Sequence, residues 1–290
     1  MSASTIHPGQ DPLHAAGEIL ATSPGLLVIT GAGISVESGL PSYRGPDGVY
    51  EANPTLPDLL TEEGLARDPD ALWGYLNEFR KRAAEAEPCP AHRVLARWEQ
   101  EARFPRFLIA TQNIDGLHQA AGSDRVTELH GSLWRMARPQ AEDFTDDPEF
   151  SRDAEDLLAG RDREEILRRW SLENRRTVWE DRSVPFAQIP PYRDEAIRPD
   201  ILLFGEAYGD RLLWVEDFIE RGPGAILVIG CSGQVGILDR LLRACRNAMP
   251  SCAIIHINAY EDAVGLPHLH LAMTASEALG ALDGMRWQPS

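Results

Sequence analysis

The stretch Leu26-Leu27-Val28-Ile29-Thr30-Gly31-Ala32-Gly33-Ile34-Ser35 decides the fold. Its first five residues are hydrophobic throughout rather than alternating, the pattern of a strand covered by helices on both faces. Gly31 and Gly33 follow at once. Glycines directly after a strand let the backbone approach a pyrophosphate and leave the amides of the next helix to bind it. Taken alone, the pair fits a plain strand–helix turn as well. Val36 stands where the third glycine of the dinucleotide fingerprint belongs, and Gly39 comes three residues late.

Working outward, four further apolar runs have strand length: Phe107–Thr111, Ile201–Phe204, Ala225–Gly230 and Ala253–Asn258. Between them lie helical patterns. Ala71–Ala86 carries Leu72, Tyr75, Leu76 and Phe79 at three- and four-residue spacing, and Ala91–Glu101 repeats it with Val94, Leu95 and Trp98. Strands alternating with helices predict an α/β fold, a doubly wound, Rossmann-like parallel sheet. Residues 138–198 break the pattern, because half the residues from Ala141 to Ser183 are charged. Ile166, Leu167 and Trp170 nonetheless make a helical stripe, and Val178 and Trp179 add apolar weight. The expectation is a small, mostly helical module at 138–198 that splits the Rossmann-like domain into 1–137 and 199–290.

Composition narrows the function. The 290 residues hold 28 Lys and Arg against 45 Asp and Glu, a net charge of −17. That argues against nucleic acid, since phosphate binding needs a supply of cations, and it suits basic, lysine-bearing partners. No apolar run approaches the roughly 20 residues of a membrane span, and residues 1–17 show no basic and apolar pattern of a secretory signal. The four cysteines, Cys89, Cys231, Cys245 and Cys252, include no Cys-x-x-Cys pair. Reduced thiols in a cytoplasmic protein are expected.

The chemistry-bearing residues cluster after strands, where open α/β sheets place ligands. Residues 31–50 read as a long loop carrying Ser35, Ser38, Tyr43 and Arg44. At the end of the second run stand Gln112, Asn113, Ile114 and Asp115, an amide and a carboxylate two residues apart that suit a carboxamide and a ribose. Asp115 equally fits a helix N-cap. Leu129-His130-Gly131 puts a histidine at a third strand-like end. Phe204-Gly205-Glu206, Gly230-Cys231-Ser232 and Ile257-Asn258 close three more apolar runs. His118 reads as a capping or packing residue, and His268 and His270 alternate as on a solvated strand rather than as metal ligands. Cys231 shows no partner for thiol chemistry.

Four motifs, GAGISVESGLPSYR (31–44), TQNIDGLHQAAG (111–122), ELHGSL (128–133) and RPDILLFGE (198–206), occur in the order found in the sirtuins. From Leu26 to Asn258 the chain resembles this family of NAD-dependent protein deacylases. The resemblance implies that Gly31, Ala32 and Gly33 contact the NAD phosphates, with Ser35 nearby and Tyr43 and Arg44 on the mobile cofactor loop. It implies that Gln112, Asn113, Ile114 and Asp115 hold the nicotinamide and its ribose. Gly230, Cys231, Ser232 and Asn258 then lie at the adenosine end. His130 would be the general base, with Asn113 beside it as a catalytic residue. Leu203, Phe204, Gly205, Glu206 and Val235 would line the groove for an acylated-lysine peptide, the first four pairing with it as an added strand. In the implied reaction the amide oxygen attacks the anomeric carbon, nicotinamide leaves, and a base then deprotonates a ribose hydroxyl so that the acyl group passes to ADP-ribose. A histidine with an ordinary pKa near ~6.5 suits that task.

The sequence departs from the family in three places. Sirtuins usually carry two Cys-x-x-Cys zinc pairs between the His-Gly and Phe-Gly-Glu motifs. Here no cysteine lies between Cys89 and Cys231, and no histidine lies between His130 and His256, so no zinc is expected. The adenosine-side motif has Cys231 for the usual threonine, and Ala207-Tyr208-Gly209 replaces a proline-ended stretch after Glu206. Leu76 and Phe79 stand where desuccinylating members carry Tyr and Arg, which favours a neutral acyl group. Two alternatives stay open: ADP-ribosyl transfer or NAD hydrolysis from the same pocket, and a non-catalytic NAD-binding module.

Overall fold

The computed structural model describes residues 10–44, 48–137, 177–180, 198–233, 236–260, 264–266 and 268–285. Six strands form a parallel sheet: β1 (Leu26–Thr30), β2 (Phe107–Thr111), β3 (Val126–Glu128), β7 (Ala225–Ile229), β8 (Ala253–Ile257) and β9 (Leu269–Leu271), in the order β3-β2-β1-β7-β8-β9. From β1 the chain builds outward through β2 and β3. It then returns to β1's other side with β7 and continues to β8 and β9. The winding therefore reverses between β1 and β7, the position at which doubly wound sheets open a ligand crevice. Register makes that crevice sharp. Thr30 pairs with both Thr111 and Ile229, Thr111 with Glu128, and Ile229 with Ile257, so the loops after five strands emerge side by side.

Strand alternation feeds two apolar layers. Leu26 and Val28 face a cluster with Leu20 of α1 (Pro12–Ala21), Leu95 and Trp98 of α6 (Pro90–Gln100) and Leu279 of α10 (Ala275–Gly284). Leu27 and Ile29 face the other layer, with Val215 and Phe218 of α8 (Leu213–Glu220) and Leu238 and Leu241 of α9 (Gly236–Ala248). Burial at every position between two helical layers is why β1, β2 and β7 are apolar except at the terminal threonines Thr30 and Thr111.

A second, three-stranded sheet has the order β5-β4-β6, from β4 (Gly131–Ala137), β5 (Thr177–Glu180) and β6 (Arg198–Ile201), all antiparallel. Two expectations change here. Ile201–Phe204 is not a parallel strand of the main sheet. Its first residue ends β6 against β4, and Leu202–Phe204 runs on as a connection whose Phe204 bridges Thr61. Thr177–Glu180, which contains Val178 and Trp179, is a strand rather than part of a helical module. The remaining residues from 138 to 197, with Ile166, Leu167 and Trp170, lie outside the described residues.

Four helices follow the long loop, α2 (Val49–Ala52), α3 (Leu56–Leu59), α4 (Glu62–Arg67) and α5 (Pro69–Glu85), and α5 packs against β4. Asp68 caps α5 by accepting from the Ala71 amide, and Pro69 takes the first helical position, where no donor is needed. Leu72, Leu76 and Ala83 of α5 join Leu56, Leu133, Trp134, Ile201 and Leu203 in a third apolar cluster. This third cluster thus draws on residues 40–86 as well as on β4 and β6. Among the described residues no helix is long and apolar enough to cross a membrane.

Candidate active site

The loops after β1, β2, β3, β7 and β8 surround one cleft of about 570 Å³, a volume in the range of small-molecule and cofactor sites. Its floor is a contact between two glycine turns. Gly31 N–H donates to Ile229 O and Gly33 N–H to Gly230 O, each at 3.0 Å. A Cβ on Gly33 would stand 2.6 Å from Gly230 Cα, and one on Gly230, whose φ is +61°, 2.4 Å from the Ile34 amide. No side chain fits between the loops, so bare backbone lines that end of the cleft. The expected helix after Gly33 is a 3-10 helix, Ala32–Ser38, and the Gly31 and Gly33 amides are spent on the β7 loop.

Beneath the turns a polar knot fixes the loop after β2. Thr30 Oγ1 donates to Thr111 Oγ1 (2.8 Å), and the Thr111 hydroxyl accepts from the Asn113 amide (3.1 Å). Asn113 Nδ2 donates to Gly31 O (3.2 Å) and to Ser35 Oγ (3.1 Å). Both amide hydrogens of Asn113 are so used, and a ligand meets its Oδ1. Ser35 passes its own proton to Asp115 Oδ2 (2.7 Å), while Asp115 Oδ1 accepts from the Leu117 amide (2.9 Å) at the start of α7 (Leu117–Ala120). Burial pushes the Asp115 carboxyl upward against these two donors. Asp115 and Ser35 are buried behind the cleft wall, so they orient Asn113 and α7. His118 packs as expected: it meets Thr30 at 3.0 Å and the His92 ring at 4.8 Å, and burial holds it neutral.

His130 faces the cleft from the end of β3. Leu129 N–H donates to Thr111 O (2.8 Å), and His130 O accepts from Leu202 N–H (2.9 Å), so both sheets grip the residue. The turn after it needs glycine: Gly131 has φ +81°, and a Cβ there would meet Asp200 O at 1.9 Å. His130 Nδ1 lies 2.8 Å from Gln112 O and Nε2 lies 3.1 Å from Tyr208 Oη. A carbonyl only accepts, so Nδ1 carries the proton and Nε2 accepts from the phenol. Burial lowers the His130 pKa to about 4, with Arg211 acting in the same direction and the Gln112 carbonyl opposing. The ring is a neutral base at neutral pH, further from its ordinary value than expected.

Ala32, Gln112, Ile114, Ser232 and Asn258 also line the cleft, with Gly230 and Cys231. Gln112 Nε2 donates to Cys231 Sγ (3.4 Å) and Asn258 Nδ2 to Cys231 O (3.3 Å). Residue 231 thus ties three loops together, through its thiol to the β2 loop and through its backbone carbonyl to the β8 loop. None of the four cysteines forms a disulfide, and all are buried.

At the mouth, Tyr43 and Arg44 reach over from the long loop. Arg44 sits 5.4 Å above the Tyr50 ring, and Tyr43 lies 6.2 Å edge-on from Phe79 of α5. Leu203, Phe204, Gly205 and Glu206 form the opposite lip. Three of their amides are engaged: Leu203 N–H by Glu206 Oε2 (2.7 Å), Glu206 N–H by Leu203 O (3.1 Å) and Phe204 N–H by Leu60 O (2.8 Å). This lip is a turn rather than an open strand edge, and it offers the 44%-exposed ring of Phe204 outward. Val235 lies outside the described residues. Tyr208, Tyr50, Tyr75 and Tyr260 also line the cleft. Of these, Tyr75 carried a signal in the α5 periodicity, whereas Tyr208 stood out only as part of an unusual tripeptide.

His270 lies in β9 and His268 directly before it. The His270 ring stacks on the buried His256 at 5.4 Å and the His268 ring meets it edge-on at 5.5 Å, so the pair is half-buried rather than solvated. Among the described residues no group of His, Cys, Asp or Glu is arranged to hold a metal ion.

A crevice at the winding reversal, floored by paired glycine turns and carrying a neutral imidazole, defines a nucleotide-binding α/β protein with acid–base capability. Comparison with known proteins gives the particular lineage. The Sir2 family profile matches residues 31–236, and the chain belongs to that family. An NAD-dependent protein deacylase 2 from Archaeoglobus fulgidus is 40% identical over 227 residues, 77% of this chain and 76% of that protein. An NAD-dependent protein deacylase from Aeropyrum pernix is 31% identical over 261 residues, 89% of this chain and 91% of the relative. Among solved structures, a Sir2 homologue–NAD complex superposes with a TM-score of 0.73 at 26% identity, covering 96% of this chain and 95% of that one.

Proposed function

We propose that this sirtuin-type, NAD-dependent protein deacylase uses His130 as its general base, in the cleft between the glycine turns and the Phe204 lip. The observation that carries this reading is the tautomer of His130. Its Nδ1–H is fixed by the Gln112 carbonyl and its Nε2 lone pair lies on the cleft side. NAD, when bound, would supply the anomeric carbon that the amide oxygen attacks, nicotinamide as leaving group and the ribose hydroxyl that takes the acyl group. The donor set fits it. Bare glycine backbone at 31–33 and 230–233 admits phosphates, Asn258 and Ser232 suit an adenosine ribose, and Gln112 with the Oδ1 of Asn113 suits the nicotinamide side. Arg44 adds the cation near the mouth. Ser35 and Asp115 act one step back, by holding Asn113.

The acylated lysine of a protein or peptide enters over Phe204, with Glu206 shaping the lip and Val235 assigned to the same groove. Leu76 and Tyr75 line the wall, which favours a neutral acyl chain. We further infer that no structural zinc is needed, because residues 90–230 contain no cysteine, and that the enzyme works in the cytoplasm, where four thiols outside any disulfide stay reduced.

The test is product analysis with NAD and an acetyl-lysine peptide, in the presence of a chelator, for the wild type and His130→Ala. Acetyl-ADP-ribose from the wild type, reduced about 10²–10⁴-fold in the variant, is the expected result. Nicotinamide release without deacylation would assign hydrolysis or ADP-ribosyl transfer instead.

A further inference from the structure

We infer that Tyr208 is a catalytic proton relay to His130, an inference that rests on His130 being the base. A neutral imidazole has one lone pair. Here it is already occupied: with Nδ1–H committed to Gln112 O, Nε2 accepts the Tyr208 phenol at 3.1 Å. A substrate hydroxyl in the cleft therefore reaches His130 either by displacing the phenol or through it.

The surroundings favour passage through it. Tyr208 lines the cleft, and it packs against the second apolar layer. Its carbonyl accepts from Arg211 N–H (3.2 Å). Arg211 in turn is fixed twice, by its guanidinium to Asp200 Oδ1 (2.5 Å) and by its carbonyl, which accepts from Thr127 Oγ1 (3.1 Å). A side chain rooted in this way is a fixed part of the site rather than a swinging cover. Burial also raises the phenol's pKa, so Tyr208 keeps its proton until a new one arrives.

The transfer balances without a free phenolate. As a substrate hydroxyl gives its proton to the Tyr208 oxygen, the phenol's own proton moves to Nε2. One O–H bond is made and one broken at Tyr208, and the positive charge ends on an imidazolium whose Nδ1–H remains on the Gln112 carbonyl.

The test is Tyr208→Phe, which keeps the ring and removes only the hydroxyl. With NAD and an acetyl-lysine peptide, kcat is expected to fall about tenfold or more while both KM values stay within about twofold, a loss smaller than that of the base itself. The second readout needs no ligand: in protein carrying ¹⁵N-histidine, the Nε2 resonance of His130 is expected to move toward that of a non-bonded ring nitrogen in the variant. Wild-type or faster turnover in Tyr208→Phe, or an unmoved Nε2 resonance, would overturn the relay. If His130→Ala itself retained deacylation, the assignment of the base would fall first.

Discussion

At the scale of single residues, the site works by committing hydrogen-bond partners in advance. His130 is the case that matters. Gln112 O fixes its tautomer, and burial lowers its pKa to about 4. As the proposed base, the imidazole acts only when unprotonated, so activity is expected to be retained above that value and lost as pH falls through it. The acid limb of kcat/KM is expected near pH 4 to 5 rather than near the ordinary histidine value of ~6.5. Initial rates taken between pH 4 and 8, on protein confirmed as folded at each pH, check this. A limb at the ordinary value would mean that the ring is hydrated in the working enzyme. His130 was legible from its place before Gly131 in a motif. Tyr208 was not, because the contact joins residues far apart in sequence, and nothing in Ala207-Tyr208-Gly209 tells where the phenol points.

At the scale of elements, the two sheets are joined beneath His130 by a buried chain of charges. Arg135 of β4 pairs with Glu128 of β3 (2.6 Å) and with Asp200 of β6 (3.0 Å), and Asp200 also pairs with Arg211 (2.5 Å). Deleting one member of a buried network strands the others in a dry environment. Asp200→Ala is therefore expected to cost about 3–5 kcal/mol. Urea denaturation measures it, and a loss under about 1 kcal/mol, the worth of an exposed pair, would show that solvent reaches the network. Strands β1, β2 and β7 were readable because burial on both faces leaves an unbroken apolar run. Ile201–Phe204 has the same composition for a different reason. Ile201 and Leu203 fill the third cluster beneath α5, and hydrophobicity does not say which sheet an extended segment joins.

At the scale of the whole molecule, several buried histidines link stability to pH. Burial lowers His92 and His256 to about 4 and His118 well below its ordinary value, with His92 adding to the shift of His118. Unfolded, each returns to about 6.5. Between those values the unfolded chain binds more protons, so stability is full above the unfolded pKa and is lost as pH falls toward the folded one. Each histidine contributes a slope of about 1.4 kcal/mol per pH unit at most. Asp115 and Glu99, pushed upward by burial, act in the opposite sense in the carboxylate range. The urea midpoint is expected to drop between pH 7 and pH 5, and a flat midpoint would contradict neutral burial. The doubly wound plan was legible as a whole, since strand–helix alternation and glycine turns are local signals. The small sheet was not, because its strands are brought together from distant parts of the chain and the pattern between them is dominated by charge.

In the proposed function the nucleotide lies across the β1–β7 reversal with a ribose beside His130. A crystal structure of the chain with ADP-ribose bound tests it most directly. The account predicts phosphates over Gly31–Gly33 and a ribose hydroxyl within hydrogen-bond reach of Tyr208 Oη or His130 Nε2. A nucleotide seated elsewhere, or a His130 ring turned away from the sugar, would contradict it.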